Sequence, residues 1–306
     1  MLLLSLGSAI FGRGRQTELS DTLGGIFTCT AWETAAIVYL AYLLATILSC
    51  WLLLRLNNAY SLIQQRTALP STLLIFFNGC VPSFANTPNI GIWLSPLFVG
   101  LLYLLYSTYQ SPGRETPYGI GLLIMIGALI WPPFIALLLP FLAGLIYMRA
   151  ITWRTITAML LGVLTPVWLF FCICFLFNLD PPYSIVDFTA IFVPDEVVVS
   201  PWSIKNIGFF IALVVVGISC CISISYVISW YKIQTWYSNR FLALLFAVLL
   251  IICFLNPLSL TSCLPLLHIL LAQAIGYYLT HAQNRFLLWQ AGIVIVVYLF
   301  LYVWNF

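Results

Sequence analysis

The sequence predicts an all-α, polytopic transmembrane helical bundle: a single integral membrane domain of eight to ten membrane helices over residues 1–306. Three observations carry this prediction. Charged residues make up only 6% of the chain and hydrophobic residues 63%, whereas soluble domains are about 25% charged. The runs 207–230 and 286–304 contain no charged residue, and about 20 apolar residues suffice to cross a bilayer as a helix. Basic residues, finally, recur in every second loop.

Ten apolar runs, separated by polar loops, give the elements in chain order. Each run is predicted to be a helix, because backbone in hydrocarbon must satisfy its own hydrogen bonds and the runs lack the alternation of barrel strands. Ten such segments in 306 residues leave no room for a separate soluble domain. The runs cover residues 33–55, 67–82, 91–109, 118–131, 133–148, 155–177, 206–230, 241–256, 263–280 and 286–305.

The distribution of Lys and Arg predicts which loops face the cytoplasm. Eight of the eleven basic residues fall on one side if every run is a crossing or a half-hairpin. The positive-inside rule makes that side cytoplasmic, and we expect the bacterial inner membrane. The eight residues are Arg55, Arg66, Arg114, Arg149, Arg154, Lys232, Arg240 and Arg285.

Prolines predict that several runs form short, proline-broken hairpins. The runs 118–131 and 133–148 each rise only about 20 Å, against a core of ~30 Å, and Pro132 and Pro133 would break a continuous helix. A hairpin keeps Arg114 and Arg149 on one side. The same design, a short leg that leads to a proline-containing turn, follows Arg66 and Arg240. It is either a weak internal repeat that builds a cavity from broken helices or a simple collection of prolines at turns.

Several kinds of site are not readable. The nine cysteines lack ligand spacing, and most fall in apolar runs, where Cys acts as a small hydrophobe. No metal site, nucleotide-binding loop or nucleic-acid patch is recognisable. His268 lies inside a run, which marks either a functional site or a neutral His bonded to a neighbouring helix. A transporter would need a polar path, and little is present beyond His268, Asn78 and Gln273.

The carboxylates gather at the predicted outer surface. No Asp or Glu lies deep in a run, so a proton relay or cation-coupled transporter has no obvious acidic carrier. Outer carboxylates suit base catalysis, or a divalent cation held to a lipid phosphate. The candidate catalytic residues are Glu18, Asp21 and Asp187. The alternative is that these acids only solvate the outer loops.

The cytoplasmic arginines have a similar ambiguity. Arg66, Arg149 and Arg154 are candidates for holding the phosphate of a lipid carrier through bidentate hydrogen bonds. They are equally well explained as residues that fix the topology of the chain and contact anionic headgroups.

Residues 178–205 form the one long segment between runs, and we expect it outside. Its apolar residues are too numerous for a solvated loop, and four prolines divide it into short pieces. The segment is predicted to be a cap over the outer face, or an interfacial helix that only anchors the bundle.

Residues 55–168 carry a pattern of small, proline and arginine positions. It includes Arg66 before Leu69-Pro70, glycines within 119–127 before Pro132, and Gly162 before Pro166. The pattern resembles a family of bacterial polytopic inner-membrane proteins that is known as a domain of unknown function. More loosely, it is similar to the membrane core of integral-membrane glycosyltransferases that use polyprenyl-phosphate sugars.

The second resemblance implies a polyprenyl-phosphate-linked sugar as a partner and a carboxylate base on the first external loop. Glu18 and Asp21 are the nearest equivalents, although no clear first pass precedes them in this sequence. The expected function is therefore a glycosyltransferase-like protein, catalytic or not, that acts on lipid-linked envelope sugar intermediates. The alternative is a non-enzymatic scaffold for membrane-protein partners, or a carrier of a lipid or small solute. Membrane lipids are partners in every case.

Overall fold

The computed structural model describes residues 35–60, 67–81, 84, 89–109, 113–176, 204–227, 233–256, 259–280 and 285–305. Within these residues the chain folds into ten α-helices and no strand, which confirms the predicted fold class. The helices are α1 (Ala35–Tyr60), α2 (Leu69–Gly79), α3 (Ile90–Ser107), α4 (Glu115–Ile130), α5 (Leu138–Tyr147), α6 (Trp153–Leu176), α7 (Ile204–Val227), α8 (Ile233–Leu255), α9 (Leu260–Thr280) and α10 (Arg285–Asn305).

The helices follow the ten predicted apolar runs, with one clear difference. Helix α8 begins at Ile233 instead of near residue 241. Ser238, Asn239 and Arg240 make this stretch look like a loop in the sequence, yet they belong to the first two turns of the helix. The run after Arg240, which was predicted to be a short leg, is therefore part of a helix of 23 residues. The short helices are α2, α4 and α5, which have 11, 16 and 10 residues.

The described helices make the chain a multi-pass membrane protein. Five of them, α1, α3, α6, α8 and α9, are long and apolar enough to cross a membrane. Helices α7 and α10, with 24 and 21 residues, extend over about 30 Å or more as well. Helix α9 forms the centre of the described bundle, since 94% of its most apolar 18-residue stretch is buried. It packs against α2, α3, α7, α8 and α10. Helix α6 is peripheral, because only 22% of its most apolar 18-residue stretch is buried.

The proline pair after α4 ends that helix and turns the chain back. A short 3₁₀-helix, Pro132–Leu137, leads into α5. Phe134 packs back against Gly127 of α4, and Gly144 of α5 packs against Leu105 near the end of α3. Helix α5 therefore returns along α4 toward the end at which α4 began, and the predicted hairpin is present.

Helices α4 and α6 cross through two glycines that leave no room for a side chain. A Cβ atom on Gly121 would collide with the backbone carbonyl of Met159, and one on Gly162 would collide with the carbonyl of Tyr118. The Tyr118 hydroxyl also lies 3.1 Å from the Thr165 hydroxyl across the same interface. Small residues that let backbones touch are the usual basis of helix association in a bilayer, so this contact is what attaches α6 to the bundle.

Candidate functional site

One end of the bundle gathers arginines and aromatic rings. Tyr60 at the end of α1 packs against Tyr103 and Tyr106 near the end of α3, with ring centroids 5.2 and 6.1 Å apart. Helix α4 begins beside this end, α5 returns to it, and α6 and α8 begin there. We call it the basic end, defined by Arg55, Arg114, Arg149, Arg154 and Arg240 together with Trp51, Tyr109, Trp236 and Tyr237.

Three of these arginines lie over aromatic rings. The guanidinium carbon is 4.4 Å from the ring centroid of Trp51 for Arg55, 5.5 Å from that of Tyr237 for Arg149, and 3.5 Å from that of Trp236 for Arg240. All three arginines are exposed. Within the described residues the chain has a single carboxylate, Glu115. The rings therefore order cations whose positive charge is barely neutralised by described protein groups, which favours an anionic ligand.

Arg149 is held in a backbone conformation that is costly for its side chain. Its φ is 54°, the only positive φ among the described non-glycine residues. Helix α5 ends in the usual left-handed turn, because the Ala150 amide donates back to the Leu145 carbonyl, but glycine normally occupies the left-handed position. Strain of this kind concentrates at functional sites.

The strained turn orients the Arg149 side chain toward α8. The Arg149 guanidinium donates a hydrogen bond of 3.1 Å to the Tyr237 hydroxyl. That bond raises the pKa of Arg149 above its ordinary value, so the guanidinium group is charged at every physiological pH. The sequence predicts Arg149 as a phosphate-binding candidate, and its strained backbone supports a specific role.

Helix α8 divides its first turns between two surfaces. Tyr237 and Phe241 face α5, where Phe241 packs on Phe141 with ring centroids 5.4 Å apart. Trp236 and Arg240, one turn apart, face the other way toward α7 and α9. Sequence reasoning missed the roles of Trp236, Tyr237 and Arg240 because it placed them in the loop before residue 241. The signal that was available is the helical spacing of Trp236, Asn239 and Arg240.

The interior of the bundle holds a second polar cluster, centred on His268 of α9. His268 is fully buried, and its Nδ1 lies 2.9 Å from Oδ1 of Asn78 on α2. Since the amide oxygen only accepts, Nδ1 carries the hydrogen. Rings of Phe77, Phe84 and Tyr298 surround the imidazole at 5.5–6.1 Å. The prediction of a His bonded to a neighbouring helix is confirmed. In the part of the chain that the structure describes, His268 Nε2 and the Tyr298 hydroxyl have no hydrogen-bond partner.

The described residues include only part of the predicted site. Arg149 and Arg154 both lie at the basic end, where Arg154 is exposed in the first turn of α6. The other predicted site residues lie outside the described residues: Glu18, Asp21, Arg66 and Asp187. Of the predicted cap, residues 178–205, the structure describes only the last two, which begin α7. The described residues contain no group of three or more metal-ligating side chains, so the divalent cation stays a prediction.

The length of α6 limits how the predicted groups combine. Leu176, where α6 ends, lies 22 positions after Arg154, which corresponds to about 33 Å of helix. The segment that carries Asp187 follows Leu176. Arg154 and Leu176 therefore lie at opposite ends of α6, which favours two separate ligand surfaces over one shared site.

Comparison with protein-family models, with curated proteins and with solved structures finds no match to this chain.

Proposed function

We propose that this protein binds the phosphate of a lipid-linked sugar intermediate at its basic end, as a glycosyltransferase-like protein of the bacterial inner membrane. The observation that carries the proposal is Arg149, an exposed arginine held in a left-handed backbone conformation with its guanidinium bound to Tyr237. Arginine is the side chain best suited to bidentate phosphate recognition. Arg154 follows it by five residues and adds a second positive charge.

The proposal places the arginines on the cytoplasmic face, in agreement with the positive-inside rule. Glu18, Asp21 and Asp187 are proposed as the base on the outer face. In this proposal the arginines and the acids contact different molecules, or the same carrier lipid before and after it crosses the membrane, and the length of α6 between Arg154 and Leu176 supports such a separation for Asp187.

The alternative is a scaffold for partner membrane proteins, and α6 favours it. This helix keeps a wide apolar face exposed, including Trp153, Trp168 and Phe175, which are 79, 64 and 84% exposed. The scaffold function assigns this face to a helix of a partner protein, which would replace lipid there.

Deletion of the protein separates the two functions. The enzyme predicts that the deletion strain accumulates a lipid-linked oligosaccharide or loses an envelope glycan, measured by mass spectrometry of extracted lipids and glycans. It also predicts that at least one of Glu18→Ala, Asp21→Ala and Asp187→Ala fails to restore the profile. Full restoration by all three would contradict catalysis by these acids and support the scaffold.

A further inference from the structure

A cavity of about 260 Å³ lies between α7, α8 and α9 and reaches the basic end. Its deeper wall is apolar, formed by Leu242, Phe246, Leu270 and Leu271. None of the described residues that line it is acidic, so nothing in this part of its wall favours a cation. Neither His268 nor Asn78 lines it, and it is therefore distinct from the polar cluster in the interior.

Asn239 supplies a hydrogen-bond donor at this cavity. The residue lines the cavity and is only 6% exposed, and its side-chain nitrogen has no hydrogen-bond partner among the described residues. A buried amide without a partner is unfavourable in a membrane protein, because no bulk water compensates for the missing bond. An acceptor supplied by a ligand would satisfy it.

Arg240 supplies a positive charge beside that donor. It lines the same cavity one residue further along α8 and is itself exposed, so the cavity reaches the surface of the bundle at this point. Its guanidinium carbon lies 3.5 Å from the ring centroid of Trp236. Stacking on an indole leaves the N–H groups, which lie in the guanidinium plane, able to donate to an anion. Trp236 therefore positions Arg240 without neutralising it.

We propose that this cavity binds the phosphate of an anionic membrane lipid. Asn239 and Arg240 donate hydrogen bonds to the phosphate oxygens, and the first carbons of the lipid chain lie against Phe246, Leu270 and Leu271. The cavity is smaller than the 300–1,000 Å³ of typical ligand pockets, so it takes the phosphate and the start of one chain while the rest lies in the bilayer. This inference deepens the proposed function. It rests on that function only where it takes the lipid to be a polyprenyl phosphate.

Native mass spectrometry of the delipidated full-length protein in detergent tests the proposal. The probes are undecaprenyl phosphate, phosphatidylglycerol, and phosphatidylcholine with the same acyl chains, with inorganic phosphate as a competitor. We expect one anionic lipid to bind at least tenfold more tightly than phosphatidylcholine. Asn239→Leu and Arg240→Gln should each weaken that lipid at least tenfold, because each removes one donor.

Two further variants control for general effects. Arg55→Gln removes an exposed arginine that lies on a tryptophan at the same end, and it should weaken binding less than Arg240→Gln does, because only Arg240 lines the cavity. Ala243→Leu fills the cavity without removing a polar group and should weaken binding as Asn239→Leu does. Asn239→Leu should fold, since it replaces an unpartnered amide with an apolar side chain of similar size.

Each result decides the proposal. Equal binding by the wild-type protein, Asn239→Leu and Arg240→Gln would overturn it, and so would the absence of anionic-lipid binding by the wild-type protein. Complete displacement by millimolar inorganic phosphate would overturn the lipid part of the assignment. Binding of phosphatidylglycerol but not undecaprenyl phosphate would support the cavity and contradict the polyprenyl substrate of the proposed function.

Discussion

The interior of the bundle and its basic end use polar residues in opposite ways. In the interior, His268 is fully buried, bonded to Asn78 and enclosed by aromatic rings. At the basic end, Arg149 and Arg240 lie on aromatic rings but are exposed. The first arrangement fixes helix packing, whereas the second keeps ordered charge available to a ligand. The comparison supports our proposal that a ligand binds at the end of the bundle and not along a path through it.

The largest expected effect concerns the packed interior. Gly121→Leu should destabilise the protein by about 3 kcal/mol or more, because the new side chain meets the backbone carbonyl of Met159 and overpacking against fixed atoms is costly. Thermal unfolding in detergent, followed by a dye that reacts with exposed thiols, measures it. The buried cysteines Cys50 and Cys253 serve as reporters.

Gly292→Leu is the matched control for that variant. A Cβ atom on Gly292 meets nothing within 4 Å, so this substitution should leave the melting temperature nearly unchanged. Equal destabilisation by both variants would mean that the crossing of α4 and α6 is not a close contact.

A smaller effect is expected from the His268 cluster. Asn78→Leu should destabilise the protein by about 1–3 kcal/mol, because it leaves the His268 ring buried without its partner. The double variant Asn78→Leu with His268→Leu removes both polar groups and should recover most of that loss. The same thermal measurement applies. Additive losses in the double variant would show that the two side chains do not stabilise each other.

The smallest effect on stability is expected at the basic end, and it has the opposite sign. Arg149→Gly should raise the melting temperature by up to a few degrees, since glycine adopts the left-handed conformation without strain. The same variant should weaken, but not abolish, binding of undecaprenyl phosphate in native mass spectrometry in detergent, because Arg149 belongs to the basic end but does not line the cavity. A large fall in melting temperature would mean that the contact with Tyr237 serves stability instead of binding.

Much of the fold could be predicted from the sequence, because a bilayer leaves the backbone few alternatives. The ten apolar runs became ten helices, and Pro132 marked a turn that the packing of Gly144 on Leu105 confirms. The start of α8 was not predictable from hydrophobicity, since Asn239 and Arg240 belong to a helix that extends past its apolar stretch.

The candidate site was less predictable, because it depends on contacts between distant parts of the chain. The hydrogen bond from Arg149 joins residues that are 88 positions apart, and the bond between His268 and Asn78 joins residues that are 190 positions apart. No local pattern specifies such pairs. The left-handed backbone of Arg149 was not predictable either, since glycine is the residue that normally occupies such a position.

Complementation of the deletion strain tests most directly whether function lies at the basic end. The measurement is the lipid-linked sugar profile of strains that carry either Arg149→Gln with Arg154→Gln or Asn78→Leu with His268→Leu, each at wild-type protein levels in the membrane. The arginine pair is expected to leave the deletion profile unchanged, and the interior pair is expected to restore the wild-type profile. Restoration by the arginine pair together with failure of the interior pair would contradict this account and support a path through the bundle.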